Sequence, residues 1–235
     1  MKILINSKRF KLNKGFSLLE LAIVLVIVGL LISAFLAPLS AQRDLRDYSD
    51  AKAHLEQIRD ALYGYAVING QLPCPTTTAD PANVNYGHED ATCLLTAAAG
   101  VLPWKDLGVA EVDSWNNPRA LSTDPWTGYW VYRVDQAFTA TAAIPFSLTT
   151  TASGNISVQN SAGVSVTGVG VVGEPAVAVI CTTGKNKVAD GANATFETVN
   201  PIYQDDAQSP TFDDMCIWIT RPSLFNRMVT AGKLP

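Results

Sequence analysis

The chain has two histidines, His54 and His88, and no C-x-x-C pair among its four cysteines. Such a scarcity excludes the usual Cys/His zinc site, which needs closely spaced ligand pairs. Neither histidine has a serine or cysteine arrangement that suggests an activated nucleophile, and no catalytic constellation is visible, so an enzyme is not expected. His54 falls on a charged helical stretch and His88 in a polar loop, and both are expected to be solvated. Acid is missing from residues 1–15, which carry five bases (Lys2, Lys8, Arg9, Lys11, Lys14). Charge is almost missing from the next stretch, since between Phe16 and Leu39 the only ionisable residue is Glu20. The whole chain has 17 Lys and Arg against 21 Asp and Glu; without the first five bases, 12 face 21. An acid excess of that size disfavours general nucleic-acid binding, which needs a basic footprint.

What is present is a long apolar run. As a helix, residues 16–39 would measure about 36 Å, enough to cross a hydrocarbon core of roughly 30 Å with some tilt. The basic segment ahead of it stays cytoplasmic by the positive-inside rule, and the chain after Leu39 crosses the membrane. A carboxylate deep in such a run costs about 3 kcal/mol if unpaired, so Glu20 needs a partner. Ser17-x-x-Glu20 is a capping box, which supplies one partner locally. A secretory signal peptide would have a shorter apolar core, and Leu39-Ser40-Ala41 is a mediocre cleavage site. A plain membrane anchor is the third alternative.

Gly15-Phe16-Ser17-Leu18-Leu19-Glu20 and the apolar run behind it resemble the N-terminus of type IV prepilins and type II secretion pseudopilins. The resemblance implies cleavage by a membrane prepilin peptidase between Gly15 and Phe16, and methylation of the new Phe16 amine. It implies assembly with other pilin or pseudopilin subunits, in which Glu20 pairs with the Phe16 amine of a neighbour. An assembly ATPase and an inner-membrane platform protein would be the further partners. The expected location is a single pass of the inner membrane with a periplasmic head, then a periplasmic or extracellular filament.

The four cysteines, Cys74, Cys93, Cys181 and Cys216, fit an exported domain. Four allow three pairings. The sequence-local choice is Cys74 with Cys93 and Cys181 with Cys216, each bridge adding about 2–4 kcal/mol. Leu45, Tyr48, Ala51, Leu55, Ile58, Leu62 and Tyr65 recur at steps of three or four, one apolar stripe on a charged helix that stops near Asn69-Gly70. Continuity with the apolar run predicts one long helix, kinked or loosened at Pro38. Residues 71–124 are rich in Pro and Gly and predict an ordered loop. Strand signals lie at 128–135, 144–150, 155–159, 163–167, 176–182 and 215–220. The expected fold is therefore α+β and pilin-like, a long N-terminal helix packed on an antiparallel sheet. Its parts are a leader at 1–15, a transmembrane and filament-core helix at 16–39, an amphipathic half at 40–69 and a head at 70–235. The head divides into a loop at 71–124, a sheet at 125–220 and a C-terminal segment at 221–235. Asp124-Pro125-Trp126 resembles a segment of major pseudopilins. Leu-Pro-Cys-Pro, Leu-Pro-Trp, Phe212-Asp213-Asp214, Trp218 and the closing residues 231–235 resemble a pseudopilin-like subgroup.

Several motifs are discounted. Gly168-Val-Gly170-Val-Val-Gly173 matches a dinucleotide fingerprint, but Glu174-Pro175 and an apolar run replace the helix that would hold a pyrophosphate, leaving a glycine-rich turn. Asn155-Ile-Ser157 and Asn193-Ala-Thr195 match glycosylation acceptors and are set aside because a prepilin is prokaryotic. A basic and aromatic patch around Trp104, Lys105, Trp115 and Arg119 would favour the alternative function, a filament-tip subunit that binds DNA, a surface or a substrate. Asp190, Glu197, Asp205, Asp206, Asp213 and Asp214 form a late acidic cluster. Calcium takes six to eight oxygens, and the resemblance to major pseudopilins implies a calcium loop in a comparable position. A solvated acidic loop is the other reading, and no other cofactor is expected.

Overall fold

The computed structural model describes residues 15–91, 93, 100–116, 128–139, 146–153, 156–167, 175–195 and 202–234, with the backbone alone at 34–41. Contacts divide the chain into two units, Met1–Arg46 and Asp47–Pro235. The first long element is helix α1, Leu18–Asn69, which passes Pro38 without ending. At its far end Gly70 takes a left-handed φ of 73° and its N–H donates to the Ala66 carbonyl at 2.8 Å. Only glycine adopts that conformation without a Cβ penalty, so the Asn69-Gly70 stop is a true C-terminal cap.

Within the second unit, Ala51, Leu55, Ile58, Leu62 and Ala66 are buried, at steps of four, three, four and four. The expected stripe shifts at both ends. Leu45 is 70% exposed, and Ala66 replaces Tyr65 as the last core residue. Tyr65 turns aside because its hydroxyl donates to Glu89, whose second oxygen accepts the Cys74 N–H at 3.0 Å. One carboxylate thus ties the helix to the loop that starts the head. His54 is a further correction. Instead of lying in solvent it is half-buried, its ring edge-on to Trp130 with centroids 6.3 Å apart.

The main sheet has four antiparallel strands in the order β1 (Gly100–Val101), β2 (Val131–Val134), β5 (Ala176–Thr182) and β7 (Met215–Thr220). All seven residues of β5 are buried, which matches its apolar run from Ala176 to Cys181. Ala178 and Ile180 join the core with Leu55, Ile58 and Leu62, while Val179 and Cys181 join Ile156, Val158 and Tyr203. Both faces of the strand are therefore covered, one by α1 and the other by a second sheet. Fully burying each such aliphatic side chain contributes about 1.5–3 kcal/mol.

That second sheet departs from the purely antiparallel expectation. β4 (Ser165–Thr167) pairs antiparallel with β3 (Ser157–Gln159), but β6 (Ile202–Gln204) pairs with β3 in parallel. A parallel pair needs a crossover, and the chain between β3 and β6 runs through β4 and β5. The predicted strand at 144–150 is also corrected. Residues 144 and 145 lie outside the described residues, and Phe146–Thr150 is a turn. Its own hydroxyls compete with strand pairing: the Ser147 N–H donates to Thr150 Oγ1 at 2.9 Å, and Arg221 Nε donates to the Thr150 carbonyl at 2.7 Å.

Helix α3, Arg221–Thr230, fills the C-terminal segment, for which the sequence suggests no helix. Thr220 and Ser223 cap it reciprocally and Pro222 sits in its first turn. It buries Leu224, Phe225 and Met228; Phe225 stacks on Phe146 with centroids 5.8 Å apart.

The disulfides join Cys74 to Cys93 and Cys181 to Cys216. The second staples β5 to β7 at directly paired positions, with Cα atoms 4.2 Å apart. β7 is an edge strand of the main sheet, and at its end the Thr220 N–H donates to Ser223 Oγ at 3.1 Å.

Candidate functional site

Two clusters of side chains stand out, one in each unit. In the first unit, Ser17 and Glu20 form the capping box in full. The Ser17 N–H donates to Glu20 Oε2 at 2.9 Å, and the Glu20 N–H donates to Ser17 Oγ at 3.1 Å. Glu20 therefore does serve as a cap within a single chain. Ahead of it Phe16 is 88% exposed and Gly15 has open space around its Cα.

Every described side chain from Phe16 to Ser33 is exposed, including Leu18, Leu19, Leu21, Ile23, Leu25 and Ile27. A helix apolar on all sides is stable only where something other than water surrounds it. Among the described residues no helix is long and apolar enough to cross a membrane. The side chains at 34–41, which the expected 16–39 span includes in part, lie outside those described.

Residues 10–36 match the family model described as the prokaryotic N-terminal methylation motif. This chain carries a prepilin-type signal. It is the cleavage and methylation signal of type IV pilins and pseudopilins, and the helix-then-antiparallel-sheet order after it is the α+β, pilin-like class. No curated protein and no solved structure matches the chain.

In the second unit of this prepilin-type chain, three of the six late acids come together. Ligand oxygens of Asp190, Asp213 and Asp214 lie within 4.8 Å of one another. Asp213 and Asp214 are 8% and 1% exposed, just before β7, and an Oδ1 of each is buried without a hydrogen bond. The turn beneath them is built for close approach: Gly184 has φ of 62°, and a Cβ there would stand 2.5 Å from the Asp213 carbonyl. The other oxygens are held by amides. Asp213 Oδ2 accepts the Asn186 N–H at 2.9 Å, and Asp214 Oδ2 accepts the Asp190 N–H at 2.8 Å and Asn193 Nδ2 at 2.9 Å. These acids suit a hard cation by donor type, since all three ligands are carboxylate oxygens.

The remaining acids are engaged elsewhere. Asp205 lies near the Cys216 amide, Asp206 accepts the Ser161 N–H at 2.7 Å, and Glu197 lies outside the described residues. Asn193, read in sequence only as a discounted glycosylation acceptor, is buried and bonds Gln204 at both backbone atoms. Sequence reasoning missed this hub because its value depends on the β6 partner.

Burial raises the carboxyl groups of Asp213 and Asp214, Asp214 to about 7, and the Asp190 charge adds to both. A carboxyl whose folded pKa exceeds its unfolded value stabilises the fold at low pH and loses that contribution as pH rises through the folded pKa. In chelator-treated buffer, therefore, Asp214 is expected to cost stability as pH climbs from about 4, its unfolded value, to about 7. Denaturant midpoints of wild type and Asp214→Asn at pH 4.5 and 7.5 check this. The gap in favour of the variant should widen at the higher pH.

Three of the four residues named for a basic and aromatic patch are described. Trp104, the first residue of the short helix α2 (Trp104–Leu107), is buried against Tyr86 and Tyr129. The Tyr86 and Tyr129 hydroxyls lie 2.7 Å apart and both donate to Glu111 Oε1. Trp115 packs edge-on to Tyr48 with centroids 4.9 Å apart, and Arg119 lies outside the described residues. Lys105 Nζ sits over the Tyr86 ring at 5.3 Å. Tryptophan placed in a loop by sequence is here the core of that loop, because Pro- and Gly-rich backbone needs an apolar anchor to hold one shape. His88 is likewise no isolated solvent histidine; its Nδ1 is 2.6 Å from Asp106 Oδ1. The 168–173 glycine motif, Asn155 and Asp124-Pro125-Trp126 fall outside the described residues.

Proposed function

We propose that the chain is a filament subunit, a pseudopilin or minor pilin of a type II secretion or type IV pilus system, with no enzymatic role. The observation that carries this reading is the exposed apolar helix within the methylation motif. Such a surface calls for lipid before assembly and for other subunits after it. Burial of apolar area, at about 25 cal/mol per Å2, gives polymerisation its driving force. In this reading the peptidase cuts between Gly15 and Phe16 and methylates Phe16, residues 16–39 anchor the chain in the inner membrane, and the head faces the periplasm. Glu20 then orders the stack. Its Oε2 keeps the helix capped, and the same carboxylate meets the amine of a neighbouring subunit's Phe16.

Intact-mass analysis of protein extracted from membranes tests the processing step. Loss of residues 1–15 and one added methyl group is the expected result. A chain starting at Met1 or at Gln42 would contradict it, the first by showing no cleavage and the second by showing a signal peptidase product.

A further inference from the structure

Beside the open side of β7 lies a groove that assembly through the N-terminal helix leaves unused. β7 ends the strand order of the main sheet, and among the described residues no strand pairs with its far side. Its pairing fixes which backbone groups face that way. Cys216 stands opposite Cys181 with Cα atoms 4.2 Å apart, the close spacing of an antiparallel pair that exchanges no backbone hydrogen bonds. Its N–H and C=O therefore point away from β5, and by alternation so do those of Trp218 and Thr220. Both ends of this row are engaged. The Asp205 carboxylate lies near the Cys216 amide, and the Thr220 N–H and C=O both meet Ser223 Oγ. Between them the Trp218 N–H and C=O face the open side.

The groove has a volume of about 750 Å3. Four consecutive residues, Met215–Trp218, line it, as a strand seen edge-on does; a strand seen face-on would present alternate residues. Opposite them Lys52, Leu55 and Arg59 recur at steps of three and four on one face of α1, and Leu55 is buried. Asp205 and Asp206 also line the groove, Asp205 near Cys216 and within the field of Lys52. Arg59, held by Glu56, is seven residues beyond Lys52, about 10 Å further along the helix. An acidic end, an apolar middle and a basic end thus follow one another beside open backbone groups.

We propose that this groove binds an extended peptide, which adds to β7 as an antiparallel strand across Trp218. A basic side chain of the peptide meets Asp205 and Asp206, an acidic one meets Arg59, and the residues between are uncharged. Backbone bonds to the strand edge give attachment, while the charges at the two ends choose the sequence and its direction. Nucleic acid is the poorer fit, because two carboxylates face its phosphates. The proposal does not depend on whether the chain assembles into filaments.

The test titrates the full chain in detergent with the synthetic peptide acetyl-Glu-Val-Thr-Val-Lys-amide. Binding should saturate with a Kd below about 1 mM, and hydrogen exchange followed by mass spectrometry should slow over residues 215–220. The same peptide N-methylated at its three central amides keeps the side chains but loses the donors, and should bind at least about tenfold more weakly. Arg59→Glu should weaken binding about fivefold, and a peptide with lysine in place of its glutamate should recover that loss on the variant. No binding up to 1 mM would overturn the proposal, as would equal binding of the N-methylated peptide or protection that leaves 215–220 unchanged. Protection of 215–220 by self-association of the chain without peptide would make a second copy the occupant, and would overturn it too.

Discussion

Glu20→Ala is expected to yield a protein that inserts, is cleaved and folds, yet enters filaments poorly. Two separate losses are at stake. The first is the cap: Ser17 and Glu20 bond reciprocally in the single chain, and losing that box costs about 1 kcal/mol of local helix stability. The second arises only on assembly, where the neighbour's Phe16 amine would be buried with no counter-charge. That costs on the order of 3–5 kcal/mol per contact, repeated at every subunit. Glu20→Gln separates the two effects, because glutamine completes a capping box as glutamate does but carries no charge. Both variants should be depleted from sheared filament fractions when expressed alongside wild-type partner subunits. Normal incorporation of Glu20→Gln would show that the charge pair contributes nothing and that the carboxylate is a cap alone.

Gly15→Leu is expected to stop processing almost completely. The substitution is harmless to the chain itself, since nothing lies within 4 Å of where a Cβ would project. Any effect must then come from the peptidase, which has to fit the residue before the scissile bond. The uncut protein should retain residues 1–15, lack the methyl group and be absent from filaments, because the charged amine at Phe16 never forms. Intact mass reports the first two outcomes directly. Cleaved and methylated Gly15→Leu would mean that glycine is not what the enzyme reads at this position.

The acidic trio and the N-terminal segment differ in how far sequence alone reaches them. Gly15, Phe16 and Glu20 are close in sequence, and the chemistry proposed for them is local: a small residue before the proposed cut, the amine that the cut would create, an acid one helical turn on. A six-residue window contains all of it, and the family motif at 10–36 covers that window. The trio is different. Asp190 is separated from Asp213 and Asp214 by more than twenty residues, and nothing in that spacing favours those three over Asp205 and Asp206. The fold makes the separation, leaving Asp205 near the Cys216 amide and Asp213 and Asp214 buried just ahead of β7 beside Asp190.

Helix α3 carries its signals in the sequence without standing out there. Thr220 and Ser223 supply the cap, Pro222 the first turn, and Leu224, Phe225 and Met228 the buried spacing. Its ten residues are too few for periodicity to show against the preceding strand. Trp104 and His54 illustrate the opposite limit, because a residue's polarity or bulk does not say which neighbours will close over it.

By itself, then, the sequence determined what depends on neighbours within a turn or two: the processing signal, the apolar helix, the Gly70 stop, β5 and β7 as strands. Apolar periodicity and capping act over that range, so they survive in any tertiary context. Only the tertiary structure decided the parallel pairing of β3 with β6, the burial of Trp104, and which acids share one site. Each of those rests on contacts between residues far apart in the chain, whose energies appear only when the core of the head is closed.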